Sequence, residues 1–397
     1  MWAVQSFAQT KLGTLSTEPR QSGLQREGQT WIQKQLDWIA HPMRERENST
    51  KPKPVAPTVK DVAKHAGVSA ASVSRALSGS GGVRESVRSR ILESARTLSF
   101  QPNRAARDLR VRSSRAVGVL IPDIENPFFT SLVCGIEDVL GKTDYSLLLA
   151  SYNEDPDQEA RRLEVFRADG VRGLIFAASR APSRLYAELE KAGMALVAVS
   201  RDVSRLPVDE VTVANREGAH AATSHLIQFG HKRIAIINGP LVFTTARDRQ
   251  AGYEEALREK GIAVDENLIV HCPFKQSEGY SAMRQLLALD DPPTAVFAGS
   301  NLLTLGALQA IHERHLAIPD EIAIVGFDEM PWAMSLRPPL TTVAQPAFEV
   351  GRTAAELLLA RVREPALSRR QVVLDTQLIV RSSGGPNAPG ISRRDHN

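Results

Sequence analysis

Fourteen Lys and Arg residues fall between positions 51 and 115 against only four acids, a local net charge of +10. Cationic side chains at that density neutralise phosphates, so the block is the electrostatic footprint of a nucleic-acid-binding module. Residues 1–50 carry net +1 and residues 116–397 net −7, and the whole averages to +4. Other residues that could do chemistry fall at the wrong spacing. Gly135 and Gly141, ahead of Lys142-Thr143, enclose one residue more than a P-loop does. His312 and His315 lack the HExxH arrangement of a zinc site, and His220 and His225 do not share a helical face. Cys134 and Cys272 lie far apart and form no CxxC, so neither a disulfide scaffold nor a cysteine zinc site is expected. No G-x-S-x-G elbow occurs. We therefore expect no enzyme, no metal and no cofactor.

The basic block is also patterned. Val59–Ala66 reads as a helix with Val62, Ala63 and Ala66 on one face, stopped by Gly67. Ser69 caps a second helix, Ala70–Leu77. After the loop 78–82 a third runs from about Glu85 to Leu98, with Val87, Ile91, Leu92, Ala95 and Leu98 facing the first two. Val59, Val62, Val68, Val73, Leu77 and Leu92 are the expected core. Helix, glycine turn, helix is the helix-turn-helix signature. From Ala116 onward ten short apolar runs alternate with helical stretches, from Val117–Ile121 to Val372–Val380. Alternating β and α units imply parallel sheets covered by helices, and this many strands imply two doubly wound lobes with ligand held between them.

At 397 residues with 42% hydrophobic content the chain can bury a sizeable core. No apolar run nears the ~18 residues needed to cross a bilayer, and no signal peptide opens the sequence, which points to the cytoplasm and away from the membrane. Residues 1–57 read as a disordered extension ending in the Lys51–Pro57 proline linker. Met43 is an alternative start, which mass spectrometry of the native N-terminus would decide.

The segments Thr58–Ser69, Ser72–Leu77 and Phe100–Leu109 closely resemble the lactose-repressor/galactose-repressor family of bacterial transcription regulators. Pro127-Phe128-Phe129, Gly230–Ile234, Arg249–Tyr253, Pro293–Val296 and Ile324–Asp328 carry the likeness to about Gly384. The resemblance implies a helix-turn-helix head (58–102), a hinge helix and linker (103–115), a two-lobe core like a periplasmic sugar-binding protein (116–384) and a flexible tail (385–397). It implies a homodimeric repressor on a pseudo-palindromic DNA operator, controlled by a small sugar-like effector. The competing readings are a solute-binding protein without DNA function and, more remotely, a carbohydrate enzyme. The first would need a signal peptide and would lack residues 58–110.

Carried over residue by residue, the resemblance puts Ala70, Ala71 and Arg75 at base edges. Arg75 could bond guanine bidentately or clamp a phosphate, and the two alanines could meet a thymine methyl or merely allow close approach. Thr58, Ser69, Ser72, Ser74 and Arg84 would meet phosphates. In the hinge, Asn103, Ala106, Arg107 and Arg110 would sit on DNA, with Leu109 as a minor-groove wedge or an ordinary linker contact. For the effector the family pattern suggests Phe128, Ser179, Ser200, Arg201, Thr245, Arg249, Phe274, Asn301 and Asp328. The aromatics would stack on a sugar face while Arg249 and Asp328 grip hydroxyls. A lobe–lobe salt bridge for Arg249 and a loop carboxylate for Asp328 are the structural alternatives. Ser200 and Asn301 stand where relatives often have Asp, and Phe243 stands where the purine-responsive member has a cation. Both departures disfavour a purine and leave a sugar, sugar acid or phosphorylated sugar.

Overall fold

A computed structural model describes residues 57–78, 82–100, 115–179, 184–201, 203 and 206–385. The chain forms two compact units, Met1–Pro102 and Asn103–Asn397. The hinge positions Asn103, Ala106, Arg107, Leu109 and Arg110, the extension before Pro57 and the tail from residue 386 lie outside the described residues.

In the first unit the helices are α1 (Val59–Ala66), α2 (Ala70–Ser78) and α3 (Glu85–Thr97). Thr58 and Asp61 form a reciprocal capping box, the Asp61 carboxylate accepting the Thr58 N–H at 2.8 Å. Gly67 ends α1 at φ +64°, a left-handed conformation that glycine adopts without steric cost. Val62, Ala63, Ala66, Val73, Ala76, Ile91 and Ala95 form the core, with Val59, Val68 and Leu77 packed at its border. Leu92 is a correction: it is exposed, and Ile91 and Ser94 are buried instead. One residue turns an α-helix by about 100°, which carries Leu92 off the face that Ile91 and Ala95 present to α1 and α2.

The second unit contains two sheets. The chain runs β1 (Ala116–Ile121), α4 (Pro127–Leu140), β2 (Ser146–Ser151), α5 (Pro156–Ala168), β3 (Gly173–Phe176), α6 (Arg184–Lys191), β4 (Ala195–Val199) and β5 (Asp209–Val213). It continues with α7 (Asn215–Gln228), β6 (Ile234–Asn238), α8 (Thr244–Glu259), β7 (Ile269–His271), α9 (Gln276–Leu286), β8 (Ala295–Ala298), α10 (Asn301–Glu313), β9 (Ala323–Phe327) and β10 (Thr341–Ala344). Last come α11 (Ala347–Arg363), β11 (Gln371–Leu374) and β12 (Gln377–Ile379).

The sheet orders are β11-β5-β4-β3-β1-β2 and β12-β10-β9-β8-β6-β7, so the lobes repeat one topology. Every pairing in the first sheet is parallel. In the second, β12 runs antiparallel to β10, which corrects the all-parallel expectation at that edge. Alternation fills both faces of each sheet: Val117, Val119 and Ile121 of β1 pack on one side and Leu120 on the other. The run Val372–Val380 forms two strands, not one. Its first half extends the first sheet and its second half the other. The chain thus crosses between lobes three times, at Ala214, at Gln345-Pro346 and at Asp375-Thr376. Among the described residues no helix is long and apolar enough to cross a membrane.

Candidate nucleic-acid interface and ligand cleft

On α2 the side chains of Ala70, Ala71 and Arg75 are exposed, while Val73 and Ala76 anchor the helix from behind. Arg75 lies back along the helix, its Nε donating to the Ala71 carbonyl at 3.4 Å. Ser69 caps α2, its Oγ accepting the Ser72 N–H at 3.1 Å, and the two hydroxyls lie 2.9 Å apart. Ser72 and Ser74 are half-buried. The Thr58 hydroxyl donates to Asp61 at 2.7 Å. Arg84 stands at the N-cap of α3 without a side-chain capping bond, so it is exposed and gives up the cap a serine would provide.

In the second unit the loops at the carboxyl ends of the strands converge on a cleft between the lobes, as this strand order requires. The cleft is narrow, with about 50 Å³ of internal room behind an open mouth. Of the residues expected there, Phe128, Ser200, Arg201, Thr245, Arg249, Phe274 and Asp328 line it. Asp123, Asn126, Glu154, Lys275 and Gln345 line it too and carry no signal in the sequence, because their partners lie far along the chain.

The cleft's polar groups are held in place. Arg201 is buried at the end of β4. It bonds Glu154 through both terminal nitrogens, the Ala178 carbonyl at 2.6 Å and the Tyr152 hydroxyl at 3.1 Å. Burial pulls its guanidinium down, but Tyr152 and Glu154 more than offset this and hold it above its ordinary value. Its outer face covers the Phe243 ring of the other lobe at 3.9 Å. Arg249 on α8 donates to Asn215 Oδ1 at 2.9 Å and to the Gly299 carbonyl at 2.5 Å, and lies 3.8 Å over the Phe327 ring. Burial pushes it down to about 10, with Asp328 pulling the other way. The lobe–lobe salt bridge weighed for Arg249 is not formed among the described residues.

Asp328 follows β9 at φ +78° and Ser200 follows β4 at φ +67°, equivalent positions in the two lobes. Such strain on non-glycine residues is characteristic of functional sites. The Asp328 carboxylate accepts the Asn301 N–H at 2.9 Å and is met by the Gln345 amide. Phe274 reaches its place because Gly239 has no side chain: a Cβ there would come within 2.0 Å of the ring.

Two expected residues lie behind the wall. Ser179 is buried and donates to Glu159 at 2.5 Å, a carboxylate also bonded by Tyr186 at 2.7 Å. Asn301 is buried at the start of α10 and donates to Asn126 Oδ1 across the lobes at 2.8 Å. That oxygen also accepts the Phe128 N–H at 2.9 Å, which fixes the Asn301 amide with its NH₂ toward Asn126. Asn301 Oδ1 then has no partner among the described residues. A buried acceptor without a donor is costly, and a ligand hydroxyl would satisfy it.

Comparison with known proteins gives two family matches: "Bacterial regulatory proteins, lacI family" over residues 58–103, and "Periplasmic binding protein-like domain" over residues 223–384. The ribose operon repressor of Halalkalibacterium halodurans is 36% identical over 334 residues, spanning 83% of this chain and 98% of the relative. A LacI-family regulator from Enterococcus faecium, solved with bound ribose, is 31% identical with a TM-score of 0.62, covering 69% of this chain and all of that one (100%). The lac repressor dimer bound to operator and the anti-inducer ONPF is 25% identical with a TM-score of 0.74, covering 84% of this chain and 100% of that one.

Proposed function

Because the chain belongs to the lacI family of bacterial regulatory proteins, we propose that it is a homodimeric repressor whose grip on an operator is set by an uncharged sugar in its cleft. It is a sequence-specific DNA-binding transcriptional regulator, acting on DNA in the cytoplasm as a regulator and not as an enzyme. One observation carries the DNA half: an exposed helix face bearing Ala70, Ala71 and Arg75 sits in the +10 block. Ala71 and Arg75, four residues apart, share that face. Arg75 reads guanine, the alanines admit the helix to the groove, and Ser69, Ser72, Ser74 and Arg84 fix its register on phosphates. Thr58 acts through the α1 cap. In the hinge, Leu109 is the minor-groove wedge flanked by Arg107 and Arg110, with Asn103 and Ala106 beside it.

The effector half rests on charge balance. Lys275 pairs with Asp123 at 2.7 Å, Arg201 pairs with Glu154, and Arg249 faces the field of Asp328. Three cations meet three carboxylates, which favours a neutral polyol over a sugar acid or phosphorylated sugar. Phe128 and Phe274 offer faces for a sugar ring, and Arg249, Asp328, Thr245, Ser200 and Asn301 Oδ1 offer hydroxyl partners. Ser179 serves by holding Glu159 in the wall.

The test is selection of operator sequences from a random duplex library by the full chain, followed by anisotropy titration with and without D-ribose and other neutral sugars. We expect a two-fold-symmetric site whose affinity changes with a neutral sugar. Equal affinity for every duplex would overturn the DNA reading. A response to ribose 5-phosphate but to no neutral sugar would overturn the effector reading.

A further inference from the structure

Resting on the reading of the interlobe cleft as the effector site, we propose that Lys275, Asp123 and Asn153 form a clasp that holds the lobes closed before effector arrives. Lys275 follows β7 in the second lobe, and its Nζ donates to Asp123 Oδ2 and to Asn153 Oδ1, each at 2.7 Å. Asp123 follows β1 and Asn153 follows β2, so two separate loops of the first lobe converge on one ammonium. Among ion pairs between described residues this one alone joins the lobes; the neighbouring Arg201–Glu154 and Arg381–Glu329 pairs each stay within one. The Asp123 side chain is 13% exposed and that of Lys275 36%, so water screens the pair less than an ordinary surface bridge.

The backbone of the first lobe is bent to make this contact. Asn153 and Glu154 are consecutive residues in the left-handed region, at φ +51° and +59°. Asn tolerates that conformation better than most residues, while Glu does not share its advantage. The strained turn sends Asn153 to Lys275 and Glu154 to Arg201, whose guanidinium in turn covers Phe243 of the second lobe. One turn of the first lobe thereby serves two lobe-spanning contacts, the ammonium bond and the guanidinium–ring contact. Strain of this kind persists where surrounding contacts over-determine it.

All these bonds join protein groups, so none of them needs an effector to form. An equilibrium between open and closed lobes is then already biased toward the arrangement that assembles the site. Effector affinity rises by the fraction of molecules so prepared. Lys275 is a positioning residue in this scheme, acting through the lobe angle.

The experiment reads that angle directly. Full-length protein carrying dyes at the exposed positions Glu164→Cys and Glu266→Cys, in a Cys134→Ser background, reports lobe separation by Förster transfer without any sugar. Lys275→Met and Asn153→Ala should each populate a wider separation, and the exchange Asp123→Lys with Lys275→Asp should restore the narrow one. D-ribose, titrated into the same variants, should bind about 10-fold more weakly in Asn153→Ala, whose side chain does not line the cavity. An unchanged separation in both single variants overturns the clasp. So does loss of ribose binding in Lys275→Met that the charge exchange fails to recover while separation stays narrow, which would make Lys275 a direct ligand contact. If ribose and other neutral sugars bind no variant, wild type included, the effector reading fails and the sugar-free separations still decide the clasp.

Discussion

Asn301 donates across the cleft to Asn126, and Asn126 in turn caps α4 by accepting the Phe128 N–H. The bond ties a helix start in one lobe to a helix start in the other. It also explains why an amide, and not a carboxylate, suits position 301 here. Asn126 can face an aspartate only by turning its NH₂ outward and abandoning the cap. Asn301→Asp should therefore cost about 1–2 kcal/mol, the worth of a lost cap or buried hydrogen bond. Urea unfolding of the variant checks this; wild-type stability would show that the Asn126 cap does not depend on its partner.

Arg249 should separate binding from stability. Its charge is buried in the field of Asp328 but makes no ion pair with a carboxylate among the described residues, so replacing it by methionine relieves a desolvation penalty while orphaning Asn215 Oδ1 and the Gly299 carbonyl. The opposing effects should leave Arg249→Met within about 2 kcal/mol of wild type. Sugar affinity should fall at least 100-fold, on the order of two hydrogen bonds to a charged group. Burial disfavours the charged guanidinium, whose pKa it pulls below the ordinary 12.5, and that cost is what methionine removes. Urea unfolding and a sugar titration of Arg249→Met check the two halves, and a large stability loss with sugar affinity intact would contradict them.

His225 should govern part of the acid limb. It is buried, packs edge-on against Phe229 at 4.9 Å, and its Nε2 has no partner among the described residues. Burial lowers its pKa below the usual 6.5. The unfolded chain therefore takes up a proton that the folded chain resists. Stability is unaffected above about pH 6.5 and falls as pH drops below it. His225→Leu should lose less stability than wild type between pH 7 and 5.5, measured by denaturant midpoints.

The two-sheet architecture was legible because its signal is local: β4 and β8 occupy the runs Ala195–Val199 and Ala295–Ala298. Those buried strands are apolar throughout. β10 and α11 escape that reading. Thr341-Thr342 opens β10, and α11 carries alanines and a glycine on its buried face. The split of Val372–Val380 is invisible for another reason, since nothing in a continuing apolar run tells which sheet receives each half. Of the residues reached by family likeness, seven line the cleft while Ser179 and Asn301 lie behind it, and Asp123 and Asn153 meet Lys275 only because loops more than a hundred residues away fold back to it.

Arg75 should act on sequence choice and the basic block on salt. Arg75→Ala should cost about 1–3 kcal/mol on the preferred operator and flatten selection at one base pair of each half-site. Binding selections on both proteins would show it, and an equal loss on all sequences would make Arg75 a phosphate clamp. With ~6–10 phosphate contacts, wild-type affinity should fall by ~10³–10⁵ between 50 and 200 mM salt.

The three passages of the chain between the lobes, at Ala214, Gln345-Pro346 and Asp375-Thr376, bear on how such a protein can change its ligand. Neither lobe is one continuous stretch of gene. A single recombination event cannot import a whole lobe from a paralogue, since three joints would have to be cut and matched together. New effector specificity is thereby steered toward substitutions in the strand-end loops, whereas the head, one uninterrupted segment, can be exchanged in a single step.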